Sequence, residues 1–268
     1  MDKIYYLFLL LLSSCFVFIS CSKDDEQNNG DERIGDKRIK EILRISKEAT
    51  TTVSFFYNSG GITQIVLKVV DFYYDNYHET NEIIDYAIAG NAISWSCDNE
   101  RNIAYLTDGR ANSMTMHECT FSYNSDRKLT EIRSGEDHEI LKLTWERNNI
   151  AKIERFENDG SFIEKIEYSY TNYRAHMLGF FLCFNPFTEF DFLDGISEAA
   201  LFYTNACGTL SFNLPSKAIF FNSKNEKATR TYKYETDHSG YPISVTINGE
   251  GYDSDYYGYP INMAITWE

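Results

Sequence analysis

The chain lacks the short motifs by which many enzymes bind substrates or cofactors. It contains no GxSxG, HExxH, GxGxxG or Walker sequence. Its five histidines are scattered along the chain, and no pair of carboxylates is marked out as a glycosidase pair. We therefore expect a protein that is not an enzyme and binds no cofactor or metal. A hydrolase whose acids come from distant strands is the remote alternative.

Positive charge is also scarce. The chain has 25 Lys and Arg against 40 Asp and Glu, a net charge of −15. No basic stripe interrupts this acidity. The balance argues against nucleic acid and against anionic lipid headgroups as partners.

A long uninterrupted apolar run is missing as well. The most apolar segment near the start, Ile4 to Ile19, is broken by Ser13, Ser14 and Cys15. A membrane-spanning helix needs about 20 apolar residues, so a permanent anchor is the less favoured alternative. With the polar head Met1–Lys3, the layout predicts a signal peptide over residues 1–20.

The end of this segment indicates lipidation. Phe18–Ile19–Ser20–Cys21 resembles a lipobox, whose cysteine becomes acylated, and the chain turns polar directly afterwards. Leu12–Ser13–Ser14–Cys15 competes on residue type but would leave an apolar mature end. We predict lipidation at Cys21 and a flexible tether over residues 21–37. Ser22–Glu26 resembles the signal that routes Bacteroidetes-type lipoproteins to the outer face of the outer membrane.

No CxxC pair exists, which argues against a zinc site with His117. Four cysteines remain after Cys21, and they can pair in three ways. We expect disulfides Cys97–Cys119 and Cys183–Cys207, because each pair lies within one local segment. Buried thiols are the alternative.

Residues 38–268 are predicted to form one β-domain. Four stretches show large side chains two apart, then turn residues, then an apolar residue, which indicates strand, tight turn and strand. They are 53–65, 119–132, 141–153 and 231–245. The spacing of about 22 residues, as from Tyr123 to Trp145, suggests repeated units, with a weaker one at 93–106.

The unit YNSDRKLTEI resembles the YD repeat of RHS-type proteins, and more closely an uncharacterised Bacteroidetes lipoprotein family that carries degenerate versions. The Asp is replaced by Asn58, Asn124, Glu146 and Glu235. The resemblance implies a mainly β fold, an antiparallel meander of hairpins that is open or curled. It implies no catalytic residue.

The repeated strand and turn pattern stops between residues 172 and 216, a segment rich in Phe. Good helix formers between Ile196 and Tyr203 predict a short helix within an insertion that covers one face or end of the sheet. A lipid-facing loop is the alternative.

Tyrosines concentrate near the end of the chain. Tyr252, Tyr256, Tyr257 and Tyr259 lie within ten residues, beside acids. Such rings can stack on sugars, so we expect a ligand platform here; the alternative is that strands favour aromatics in any case. Asp253 and Asp255 suit calcium only weakly.

Together these observations predict a surface-exposed outer-membrane lipoprotein that acts as a binding module. Its partner is a polysaccharide or, alternatively, another envelope protein in a structural complex.

Overall fold

The computed structural model describes residues 37–47, 49–59, 61–73, 76–97, 100–115, 118–136, 138–176, 201, 206–208, 211–251 and 259–268. Every described residue belongs to one compact unit, residues 35–268. The predicted signal peptide, Cys21 and the tether before Lys37 lie outside the described residues.

Every regular element in this part of the chain is a β-strand. The strands are β1 (Ile39–Ile45), β2 (Ala49–Asn58), β3 (Gly61–Tyr73), β4 (Asn76–Ala89), β5 (Ala92–Cys97), β6 (Glu100–Thr107), β7 (Arg110–Met114), β8 (Cys119–Tyr123), β9 (Leu129–Arg133), β10 (Glu139–Glu146), β11 (Asn149–Glu157), β12 (Phe162–Arg174), β13 (Asn213–Asn222), β14 (Lys227–Thr236), β15 (Pro242–Gly251) and β16 (Ile261–Trp267). Among the described residues, no helix is long and apolar enough to cross a membrane.

The strands form a closed antiparallel barrel. Each strand pairs with the next, and β1 pairs with β16, where Ile42 lies opposite Ile265. The predicted open or curled meander was therefore wrong. Hairpin patterns specify strand, turn and strand, but they do not reveal whether the first strand meets the last. Closure leaves neither β1 nor β16 as an exposed edge.

The predicted helical insertion was also wrong as part of the fold class, because the only elements among the described residues between 172 and 216 are the end of β12 and the start of β13. Of the segment expected to be helical, only Leu201 is described.

We call the end at which β1 begins and β16 finishes the lower end, and the opposite end the upper end. Odd-numbered strands run upwards and even-numbered strands run downwards. The four predicted hairpins all form, as β2–β3, β8–β9, β10–β11 and β14–β15, with their turns at the lower end. Residues 93–106 also form a hairpin, β5–β6, but its turn lies at the upper end.

Buried side chains are mostly apolar. Fully buried residues occur all around the ring, including Ile42, Ile65, Leu129, Ile153 and Ala218. A side chain with no accessible surface borders neither solvent nor a water-filled channel. At these positions the interior of the barrel is therefore a packed core.

The lower end is reinforced by a recurring hydrogen bond. An inward aromatic near the end of an even-numbered strand donates to a carbonyl within the first three residues of the preceding strand, over 2.5–2.8 Å. We call these bonds the aromatic clasps: Tyr57–Ile39, Tyr123–Ala111, Trp145–Leu129, Tyr170–Ile150, Tyr234–Pro215 and Trp267–Pro242. In each of the four predicted hairpins, the first strand has two large side chains two residues apart. The clasp gives the second of them a hydrogen-bond partner, which buried Tyr and Trp usually find.

Part of the connection between β12 and β13 also docks at the lower end. The Ala206 carbonyl accepts from the Ala111 amide at 2.7 Å. The Ser211 hydroxyl accepts from the Ile150 amide at 3.1 Å. Cys207 beside Ala206 is fully buried. These contacts join the connection to two separate hairpins, β6–β7 and β10–β11.

Candidate binding surface

The inward face changes character towards the upper end. Arg44 and Thr51 lie opposite each other on β1 and β2, near the upper ends of both strands, and both are buried. Arg155 on β11 and the buried Arg230 on β14 point inward as well. The apolar core is thus followed by a layer that contains arginines.

Arg155 is held between two carboxylates. Its Nε and Nη2 donate to the two oxygens of Glu139, both at 2.7 Å, and its Nη1 donates to Glu164 at 3.0 Å. Burial alone would lower the pKa of Arg155, but the hydrogen bonds to Glu139 and Glu164 outweigh it, and the pKa lies above its usual value.

This is a carboxylate pair that the fold brings together across β10, β11 and β12. Both oxygens of Glu139 and one oxygen of Glu164 accept from the same guanidinium. The geometry therefore cross-links the three strands.

Arg230 forms the second polar feature of this end. Its guanidinium lies 4.3 Å from the ring centroid of Phe220 and 5.7 Å from that of Tyr259. Gly249 lies opposite Arg230, and a Cβ there would come within 2.1 Å of the Tyr259 ring. A glycine at this position lets the tyrosine pack directly on the β15 backbone.

These contacts locate one residue of the predicted tyrosine platform. Tyr259 is half-buried and packs against the core. Tyr252, Tyr256 and Tyr257 lie outside the described residues, as do Asp253 and Asp255. Because β15 finishes at Gly251 and β16 begins at Ile261, the tyrosine-rich segment starts and ends at the upper end.

The arginines were not among the predicted site residues. The alternation of inward and outward residues along a strand nevertheless assigns them to the inward face. Arg230 precedes the inward tyrosines Tyr232 and Tyr234 at intervals of two, and Arg155 follows the buried Ile153 in the same way. A charged residue in phase with core residues was therefore the available signal.

Cys119 and Cys207 are both buried. The side chains of their predicted partners, Cys97 and Cys183, lie outside the described residues, so the two disulfides stay predictions. Burial raises the pKa of the Cys207 thiol. The pKa of Tyr123 is raised as well, mainly by burial and secondly by the nearby Cys207.

Metal-binding clusters are absent from the described residues, where no group of three or more His, Cys, Asp or Glu converges. His176 instead stacks on Tyr241 at 4.0 Å between ring centroids and meets Trp267 edge-on. The side chains of His78 and His117 lie outside the described part.

The outer wall carries charges of alternating sign. Glu131, Lys142, Glu154 and Lys165 lie side by side on four neighbouring strands, β9 to β12. They alternate with inward residues such as Leu141 and Ile153, so they face outward. Opposite charges on adjacent strands stabilise a water-exposed sheet.

No known protein family matches the chain by sequence, and no curated protein matches it either. The resemblance to YD repeats therefore gains no support. Solved structures with a similar fold include two porin-like proteins. A porin-like protein from Bacteroides uniformis ATCC 8492 is 17% identical, with a TM-score of 0.63 over 86% of this chain and 96% of that one. A porin-like protein from Bacteroides vulgatus ATCC 8482 is 12% identical, with a TM-score of 0.57 over 87% and 99%.

Proposed function

We propose that this protein is an outer-membrane lipoprotein, held by acyl chains on Cys21 and facing the cell exterior, whose barrel stands in water. In this proposal the barrel is a non-catalytic binding module for glycans. The porin-like names of the two structural neighbours favour an outer-membrane location. The charged outer wall around a packed apolar core supports a barrel that stands in water, and the tyrosines near the end of the chain are the ground for proposing glycans.

A barrel that spans a bilayer needs the opposite arrangement, an apolar outer band. A lysine or arginine that faces lipid near the midplane costs about 2–4 kcal/mol, and Lys142 and Lys165 both face outward on the wall. Membrane attachment must then come from another part of the chain, and Cys21 offers it.

The anchor is tested by labelling cells with a palmitate analogue and fractionating their membranes. Cys21→Ala should abolish labelling and release the protein from membranes. Cys15→Ala is the matched control and should change neither. Labelling that survives in Cys21→Ala and disappears in Cys15→Ala would move the anchor and contradict the assignment.

Ligand binding is tested by the mobility of residues 22–268 in gels that contain host or dietary polysaccharides. The β1–β16 closure shows that these residues include the whole barrel. Retardation that is lost in Tyr252→Ala, Tyr256→Ala or Tyr257→Ala, and kept in Tyr105→Ala, supports glycan binding at the upper end. No retardation across the panel would favour a protein partner or a structural role.

A further inference from the structure

Exposed large hydrophobic side chains concentrate at the lower end. Of nine in the described part of the chain, six lie within two residues of a lower strand end: Phe56, Ile88, Tyr105, Tyr173, Phe212 and Ile243. Ile45 and Phe162 lie at the upper end and Ile83 on the wall. Single exposed hydrophobics need no explanation, but their accumulation around one end does.

The clearest part of this rim is where β10–β11 meets β12–β13. Tyr173 and Phe212 are 49% and 51% exposed. The Arg174 guanidinium lies 5.7 Å from the Phe212 ring centroid. The Phe212 amide donates to the Asn148 carbonyl at 2.9 Å, next to the exposed Arg147. We call Arg147, Tyr173, Arg174 and Phe212 the lower-rim patch.

The chain also enters the barrel at this end. Arg38 and Glu268 exchange backbone hydrogen bonds at 3.0 and 2.9 Å, and Lys37 pairs with Asp237 at 2.6 Å. Residues 22–36 therefore connect Cys21 to the lower end. A tether with the flexibility that the sequence predicts would reach about 20 Å on average, less than the roughly 33 Å length of a ten-residue strand.

We infer that the barrel stands with its lower end on the bilayer and that the lower-rim patch lies in the lipid headgroup region. This rests on the proposed function, because it requires the anchor at Cys21. Aromatic rings flanked by arginines suit this region, where rings sit at headgroup level and arginine stems lie along apolar surface. The hydrophobic residues lie at or beside the lower ends of six strands around the ring, as contact with a lipid surface requires, whereas a protein interface has one buried centre.

The test uses the mature lipidated protein in phosphatidylcholine vesicles. A polarity-sensitive NBD dye is attached at Arg147→Cys or, as the matched control, at the exposed upper-end position Lys224→Cys, with Cys97 and Cys183 replaced by Ser. Emission should shift to the blue, and lipids with a nitroxide near the headgroup should quench the dye, at position 147 only. Adding Tyr173→Ser with Phe212→Ser should reduce the shift, and adding Ile45→Ser with Phe162→Ser should not.

Vesicle flotation separates the two claims. If the protein does not float, the anchor and with it the proposed function fail. If the protein floats but the dye at 147 reports water, the inference alone is overturned, as it is if position 224 responds instead. A shift at 147 in cell envelopes but not in vesicles of extracted lipid would identify a protein partner and also overturn it.

Discussion

At the scale of single residues, the Tyr259 ring leaves no room for a side chain at position 249. Gly249→Ala should lower the free energy of unfolding by about 1–3 kcal/mol, because the added methyl forces the ring or the β15 backbone to move. Urea denaturation of residues 22–268 measures this. Asn248→Ala, an outward change on the same strand, should stay within about 0.5 kcal/mol.

The explanation for Gly249 has its own control. In a Tyr259→Ala background the same glycine replacement should cost much less, because the clashing ring is gone. Equal losses in both backgrounds would show that the clash with Tyr259 is not the cause.

The ion pair that fixes the start of the barrel predicts a pH dependence. The hydrogen bond from Lys37, opposed by partial desolvation, and the amides of Tyr241 and Ser239 lower the pKa of Asp237 from 3.8 to about 2. A carboxyl with a lowered folded-state pKa contributes stability above its unfolded pKa and loses it as the pH falls through the folded one.

Asp237→Asn keeps the oxygen that accepts from Ser239 and Tyr241 but removes the charge. The difference in Tm between the original protein and this variant should be constant from pH 8 to about 5 and shrink between about pH 4 and 2. Thermal melts across this range measure it. Asp126→Asn, an exposed turn residue, is the control, and a difference that persists at pH 2 would contradict the ion-pair explanation.

At the scale of elements, the aromatic clasps should contribute measurable stability. Tyr234→Phe keeps the ring but removes the donor to the buried Pro215 carbonyl, so unfolding should become easier by about 1–3 kcal/mol. Chemical denaturation measures the change. Tyr105→Phe, which alters an exposed ring, should have no effect, and equal stability of both variants would show that the clasp bonds add nothing.

Most of the strands could be predicted from the sequence. The β6–β7 hairpin could have been predicted as well. Asp108–Gly109 forms the turn of β6–β7 with both φ angles positive, at 52° and 73°, and this dipeptide is a strong hairpin signal. The predicted repeat placed Glu235 at the position of the YD aspartate, and this alignment was wrong. Asp237, two residues later, accepts from the amides of the turn, because β14 continues to Thr236.

The candidate site was less predictable for a physical reason. Arg155 lies 16 residues from Glu139 but meets it and Glu164 through register across three strands. Tyr259 meets Arg230 because β14, β15 and the start of β16 are neighbours. Sequence alternation assigns such residues to the inward face, but only strand order and register show which of them touch.

At the scale of the whole molecule, the β1–β16 pairing completes the ring. Deleting residues 261–268 should remove the partner of both β1 and β15 and expose their buried residues, such as Ile42 and Val245. We expect aggregation or loss of the native β-sheet signal, measured by size-exclusion chromatography and circular dichroism. Deleting residues 22–36 is the control and should leave a monomeric barrel; a soluble, folded protein without β16 would show that closure is dispensable.

The position of the chain entry also determines how the barrel meets mechanical force. If a particle captured at the upper end, as proposed, drags on a lipid anchor attached through Lys37, the pull runs along β1 rather than across it. Its ladder bonds to β2 and to β16 lie perpendicular to the strand and are loaded together in shear, instead of being peeled apart one by one. The closed ring gives β1 two such ladders, so the strand that carries the load is hydrogen-bonded to a neighbour on both sides.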